Sequence, residues 1–147
     1  MHFVTGGAYN GKAKWVRDTY MLANNCDFCW ISAYKDEKYE GCFSCEENKF
    51  IVLEGIEQWI RDLVKNEENI DLVRERCRKF ISQCEQWEKN DRERTLIMIG
   101  TDMMKGVVPI DQKVRQWRDA TGLVFQDIVQ IANRVDLIWY GMANRLK

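Results

Sequence analysis

Charge of one sign, membrane-length apolar runs and histidine are what this chain has least of. Its 22 basic and 23 acidic side chains leave a formal net charge of −1. Lys and Arg are spread along predicted helices instead of gathered into a patch, so the chain makes no case for a nucleic-acid-binding surface. No apolar run approaches the length that crosses a bilayer, and the N-terminus lacks a basic region followed by an apolar segment. The expectation is a soluble, cytoplasmic protein with no membrane span. The one histidine, His2, opens the first predicted strand and reads as a plain surface or strand residue. There is no internal repeat and no low-complexity linker. The 147 residues read as a single domain, 1–147, long enough to bury a core.

What is present is concentrated at the front. The stretch Phe3-Val4-Thr5-Gly6-Gly7-Ala8-Tyr9-Asn10-Gly11-Lys12-Ala13-Lys14-Trp15-Val16 is a short apolar strand, a glycine-rich turn and the start of a helix. Gly6, four residues, then Gly11-Lys12 is the phosphate-binding P-loop up to its last position. Glycines let backbone N–H groups turn inward and approach an anion closely. The helix that follows offers free N–H groups and its positive dipole end to the same anion. Residues Gly6, Gly7, Ala8, Tyr9, Asn10, Gly11, Lys12 and Ala13 are therefore the expected nucleotide cradle, with Lys12 as the charge on the terminal phosphates. The last position departs from the pattern: a Ser or Thr hydroxyl there binds magnesium, and Ala13 has none.

Further along, strands are expected at 2–5, 30–34, 50–53, 96–99 and 135–140. Ile51-Val52-Leu53 and Leu96-Ile97-Met98-Ile99 are continuous apolar runs, as befits strands buried on both faces of a parallel sheet. Helices are expected at 12 to about 23, about 56–64, a long one from 70 carrying the stripe Ile70, Val73, Cys77, Phe80, Cys84 and Trp87, and one from the N-cap Asp111 to about 133. The charge run 88–94 reads as a solvated helix end and the residues after Gly141 as a short basic tail. Strands alternating with helices give an α/β fold, a mostly parallel sheet with helices on both faces. Ligands of such sheets sit at the carboxyl ends of the strands. Glu54 and Asp102 each lie there. Glu54 follows its strand directly, the place from which a carboxylate holds magnesium or orients an attacking hydroxyl.

Several motifs together resemble the adenosylcobinamide kinase/adenosylcobinamide-phosphate guanylyltransferase family. Gly106-Val107-Val108-Pro109 is similar to the family's Gly-Ile-Val-Pro, and Arg115, Arg118-Asp119 and Gly122 to its Arg and Arg-Asp-x-x-Gly. Gln126, Val135-Asp136-Leu137-Ile138 with Gly141, Val4-Thr5-Gly6-Gly7-Ala8, and Leu53-Glu54 with Trp59 and Leu63 fit as well. The resemblance implies a P-loop nucleoside triphosphate hydrolase-like (RecA-like) fold, ATP or GTP with Mg2+ as cofactors, and a corrinoid substrate. It leaves a homo-oligomer open. The chain departs from the family at Ala13, at Thr101-Asp102 where the family has Asn-Glu, and at Met104 where it has glycine. The connection 35–48 is also shorter than the family's and lacks the histidine that accepts the guanylyl group.

Six cysteines are many for a cytosolic chain of this size. Cys26-x2-Cys29 and Cys42-x2-Cys45 are separated by twelve residues, close to the spacing of four-cysteine zinc sites. They read either as a structural Zn2+ site at one sheet edge or as four cytosolic thiols. Cys77 and Cys84 sit on the helix stripe and read as core. The functional expectation is phosphorylation of adenosylcobinamide by ATP or GTP, with Lys12 and Glu54 catalytic, weak magnesium dependence and no guanylyl transfer. The alternative is a non-catalytic nucleotide-binding or scaffold protein derived from such a kinase.

Overall fold

The computed structural model describes every residue of 1–147 except 25, 26, 46 and 68. Its strands are β1 His2–Gly6, β2 Phe28–Ser32, β3 Phe50–Glu54, β4 Thr95–Thr101, β5 Arg134–Trp139 and β6 Met142–Arg145. Its α-helices are α1 Lys12–Thr19, α2 Ile56–Asn66, α3 Ile70–Lys89 and α4 Gln112–Ile131. The sheet order is β2-β3-β4-β1-β5-β6, with β6 antiparallel to β5 and the other neighbours parallel. This is the expected α/β architecture. β4 lies between the strand that leads into the glycine-rich loop and the strand that ends on Glu54, as in a RecA-like P-loop domain.

Side chains alternate across each strand, and the two faces carry separate cores. Phe3, Leu53 and Met98 point to one face, where α2, α3 and α4 supply Ile60, Val73, Ile81, Val124 and Ile128. Val4, Val52, Ile97 and Ile99 point to the other, covered by Val16 of α1 and by Leu22. The apolar runs of β3 and β4 therefore have no solvent face, which is why they show no polar alternation. Asp111 caps α4 as expected, its side chain accepting the Val114 N–H at 2.9 Å.

Four local expectations are corrected. α1 stops at Thr19 because the chain turns at Met21 with φ 51°, and a 3-10 turn Leu22–Asn24 replaces the last helical turn. The basic tail is strand β6, turned back by Tyr140 and Gly141, both at positive φ, the geometry of a two-residue hairpin turn. Within the charge run, Glu88 is no solvated end: its Oε1 accepts the Leu96 N–H at 2.8 Å and ties α3 to β4. His2 is buried, its Nε2 2.7 Å from Asp136 Oδ2 and its Nδ1 2.6 Å from the Tyr20 hydroxyl.

The carboxylate can only accept, so the neutral imidazole donates from Nε2 and accepts the tyrosine proton at Nδ1. Arg134 Nε, 2.5 Å from the same Asp136 oxygen, already supplies the positive charge. Burial therefore dominates and lowers the His2 pKa from 6.5 to about 4, with Asp136 opposing and Arg134 adding to the fall. On the opposite side of the sheet, Arg74 and Arg78 of α3 both fork onto Asp127 of α4 at 2.7–2.9 Å. Those hydrogen bonds, Arg74's first, hold the Asp127 carboxyl down at about 2.

The two groups set an acid profile. Between pH 6.5 and 4 the unfolded chain protonates His2 and the folded one does not, so stability falls with pH there. Below about 4 the Asp127 contribution is lost in turn, as pH approaches 2. In thermal melts across pH 3–8, His2→Gln should flatten the upper limb, worth about 2 kcal/mol after solvent screening, and leave the lower limb in place. An unchanged upper limb in that variant would remove His2 as its cause.

Candidate functional site

The glycine-rich loop leaves β1 at the carboxyl edge of the sheet. Gly6 has φ 145° and Gly11 has φ 84°, and Gly11 stands as the N-cap of α1 without a side-chain cap. The first N–H groups of α1 therefore have no capping side chain at Gly11, and the helix dipole adds positive potential at the loop. Neighbouring elements pin the loop on both sides. The Asp102 N–H donates to Gly6 O at 3.0 Å, and the Gly141 N–H to Asn10 O at 2.9 Å. The β5–β6 turn is thus one wall of the loop.

Lys12 is buried and folds back inside the loop, its Nζ donating to Gly6 O at 3.1 Å and Gly7 O at 2.8 Å. Burial lowers its pKa, while Glu57, Glu54 and Asp102 pull it back up. The ammonium thus faces three carboxylates.

A cavity of about 550 Å³ opens beside the loop, lined by Tyr9, Gly11, Lys12, Ala13, Tyr34, Glu54, Glu57 and Thr101 among others. That volume is in the range of small-molecule sites. Lys12 and Glu54, far apart in sequence, meet there. Glu54 ends β3, and its Oε2 accepts the Trp30 indole N–H at 2.9 Å. Asp102 sits one strand over, its Oδ1 accepting the Met104 N–H at 2.9 Å.

Glu57 was missed. A glutamate in the first turn of an amphipathic helix reads as solvated, yet it is 1 % exposed. One oxygen accepts the Tyr34 hydroxyl, and the other accepts the Thr101 N–H at 2.9 Å. Its backbone carbonyl accepts the Trp117 indole N–H at 2.6 Å. It therefore ties together the ends of β2 and β4 and the side of α4. Its position three residues after Glu54, still at the carboxyl edge, was the only signal available.

The loop after β4 is held by two arginines of α4. Arg115 donates to the carbonyls of Pro109, at 3.0 Å, and Ile110, and Arg118 to those of Val107, at 3.3 Å, and Met104. With its backbone clamped, the loop leaves Val107, Val108 and Ile110 out in solvent.

The cysteines do not gather as one cluster among the described residues. Cys29 lies within β2 and is disulfide-bonded to Cys45. Cys42 is buried beside Cys84 of α3, whose thiol is pushed up by hydrogen bonding to Cys42 and by burial. Cys26 lies outside the described residues. Among the described residues no three His, Cys, Asp or Glu side chains are placed to hold a metal ion. Cys77 is buried in the core as read. No described helix is long and apolar enough to cross a membrane.

No curated protein matches the chain. A family model, described as cobinamide kinase / cobinamide phosphate guanyltransferase, matches residues 30–146. The matched span begins after the glycine-rich loop and takes in Glu54, the clamped loop after β4 and the two arginines that hold it. With that match over most of its length, the chain belongs to the cobinamide kinase / cobinamide phosphate guanyltransferase family.

Proposed function

We propose that this protein is a kinase of cobalamin biosynthesis that transfers the γ-phosphoryl group of ATP or GTP to the terminal hydroxyl of adenosylcobinamide. The observation that carries the reading is the meeting of Lys12, the open start of α1 and Glu54 around one cavity. Residues Gly6 to Ala13 cradle the phosphates, and Lys12 stabilises the charge on the transferring group. Glu54 fits magnesium arriving with the nucleotide, since its carboxylate lines the cavity; it would be the residue to hold the ion, which would supply positive charge against the phosphates. Ala13 offers no side-chain ligand oxygen, so Glu54 would be the residue left to hold it. The clamped loop with exposed Val107, Val108 and Ile110 gives a corrinoid, large and partly apolar, a surface to rest against.

Guanylyl transfer is absent in this reading. It needs a nucleophile to hold the nucleotide covalently, and the sole histidine is buried against Asp136 and Tyr20 at the opposite, amino end of β1. Ala13 favours a second reading, a non-catalytic nucleotide-binding protein. One experiment separates the three. The protein is incubated with adenosylcobinamide and GTP labelled on the γ- or the α-phosphate, and protein and products are resolved. The proposal expects γ-label in adenosylcobinamide phosphate and no α-label on the chain or in product. Acid-labile α-label on the chain restores the second activity, and bound nucleotide with no transfer of either label supports the non-catalytic reading.

A further inference from the structure

Phosphoryl transfer to an alcohol leaves a proton to be placed, and the site holds more acid–base machinery than Lys12 and Glu54 account for. Tyr34 follows β2 at the carboxyl edge of the sheet and lines the same cavity as Lys12. It is a half-exposed side chain, with an edge open to solvent. Its hydroxyl nevertheless donates to Glu57, and it lies 3.2 Å from Thr101 Oγ1. Glu57 is a buried carboxylate whose second oxygen is occupied by the Thr101 N–H. Beyond tying the ends of β2 and β4 together, Glu57 places a negative charge at the back of a phosphate site, where it opposes the charge of the ligand. A buried carboxylate that accepts the hydroxyl of a half-exposed phenol lining the same cavity is the arrangement of a proton relay.

We infer that Tyr34 and Glu57 form a relay that takes the proton of the phosphoryl acceptor: a hydroxyl of the substrate hydrogen-bonds Tyr34 Oη, and Glu57 is the terminal base. This rests on the kinase reading. As the acceptor oxygen forms its bond to phosphorus, its O–H bond breaks and the proton passes to Tyr34 Oη. The Tyr34 proton passes at the same time to Glu57 Oε1. The bond between the γ-phosphorus and the bridging oxygen breaks, and the nucleoside diphosphate leaves with that electron pair. Glu57 returns its proton through Tyr34 to solvent or product after release. No tyrosinate accumulates, in keeping with a phenol whose pKa is raised by burial first and by the hydrogen bond to Glu57 second. Tyr34 touches the acceptor and is the catalytic residue; Glu57 acts through it. Thr101, bonded to both, sets the angle between them.

The test is steady-state kinetics on wild type, Tyr34→Phe, Glu57→Gln and the double variant, with adenosylcobinamide as acceptor and nucleotide affinity measured on each by calorimetry. General-base contributions run to about 100-fold or more. Each single variant should lose turnover on that scale, with nucleotide Kd unchanged in Tyr34→Phe and unchanged or tighter in Glu57→Gln, which loses a charge opposing the ligand's. The double variant should be no worse than the more affected single one, because one relay is broken once. Nucleotide affinity no weaker than that of wild type certifies the fold of each variant. Turnover in Tyr34→Phe equal to wild type, or losses that multiply in the double variant, overturns the relay and leaves the kinase reading standing. A wild type that binds nucleotide and phosphorylates no acceptor overturns both.

Discussion

Lys12→Ala is expected to weaken nucleoside triphosphate binding by about 10- to 100-fold, the loss of a charge-assisted contact worth about 1.5–3 kcal/mol. The size of the effect follows from where the lysine waits. Its ammonium is inside the loop on the carbonyls of Gly6 and Gly7, so little side-chain freedom remains to be lost when phosphates arrive. Burial lowers its pKa, but Glu57, Glu54 and Asp102 favour the charged form. The same variant takes one donor from each of two loop carbonyls, which keep the Asp102 N–H on Gly6 O and the Asn10 N–H on Gly7 O, so it should cost no more than about 1 kcal/mol of stability. Calorimetry should therefore be run well below the melting transition. Equal GTP and ATP affinities in wild type and Lys12→Ala would remove the loop as the nucleotide site.

The parts of this molecule that could be read in advance are those where one physical cause acts alone. β3 and β4 are apolar on both faces because both faces are covered, and no other element competes for so continuous a run. Asp111 was legible because an N-cap is a local bond between a side chain and a backbone three residues on. Lys12 and Glu54 were legible because glycine spacing and a strand end place them without knowledge of the sheet order. Where two distant segments decide the outcome together, the chain looks ordinary. His2 becomes a buried donor only because β1 lies beside β5 and brings Asp136 to it. β6 has four exposed residues and no period of its own; the turn at Tyr140 and Gly141 makes it a strand.

The cysteines illustrate the same limit. Their spacing left one four-sulfur site and four separate thiols both open, because spacing ignores helix α3, which presents Cys84 to Cys42, while Cys45 meets Cys29 on β2 and Cys26 lies outside the described residues. Glu57 is the most instructive case. Its sequence neighbours place it in a helical first turn, where acidic residues are favoured at the surface. Its actual surroundings, Tyr34, Thr101 and Trp117, come from three other segments of the chain, none of which announces a carboxylate partner.

Gly6→Ala is expected to be the most damaging single methyl in the protein. A Cβ built on Gly6 would lie 2.2 Å from the carbonyl oxygen of Ile138, and the residue has φ 145°, a conformation that L side chains rarely adopt. The neighbour cannot give way cheaply, since Ile138 belongs to β5, whose ladder with β1 pairs Thr5 with Leu137 one residue earlier. Nor can Gly6 move alone, because its own carbonyl takes both the Asp102 N–H and the Lys12 ammonium. Strain and clash together should cost about 3–5 kcal/mol, a fall of about 10 °C or more in Tm for a chain of this length. Gly7 is the control: the nearest atom to its added Cβ is the side-chain nitrogen of Asn10 at 3.0 Å, the far end of a side chain, and its φ is not in the positive region. Gly7→Ala should therefore cost less than about 1 kcal/mol. Because the displaced backbone at Gly6 carries Lys12 with it, whatever Gly6→Ala protein remains folded should also bind triphosphate more weakly. Thermal melts and calorimetry on the pair read both effects, and equal Tm values for the two variants would mean that the loop does not need its strained glycine.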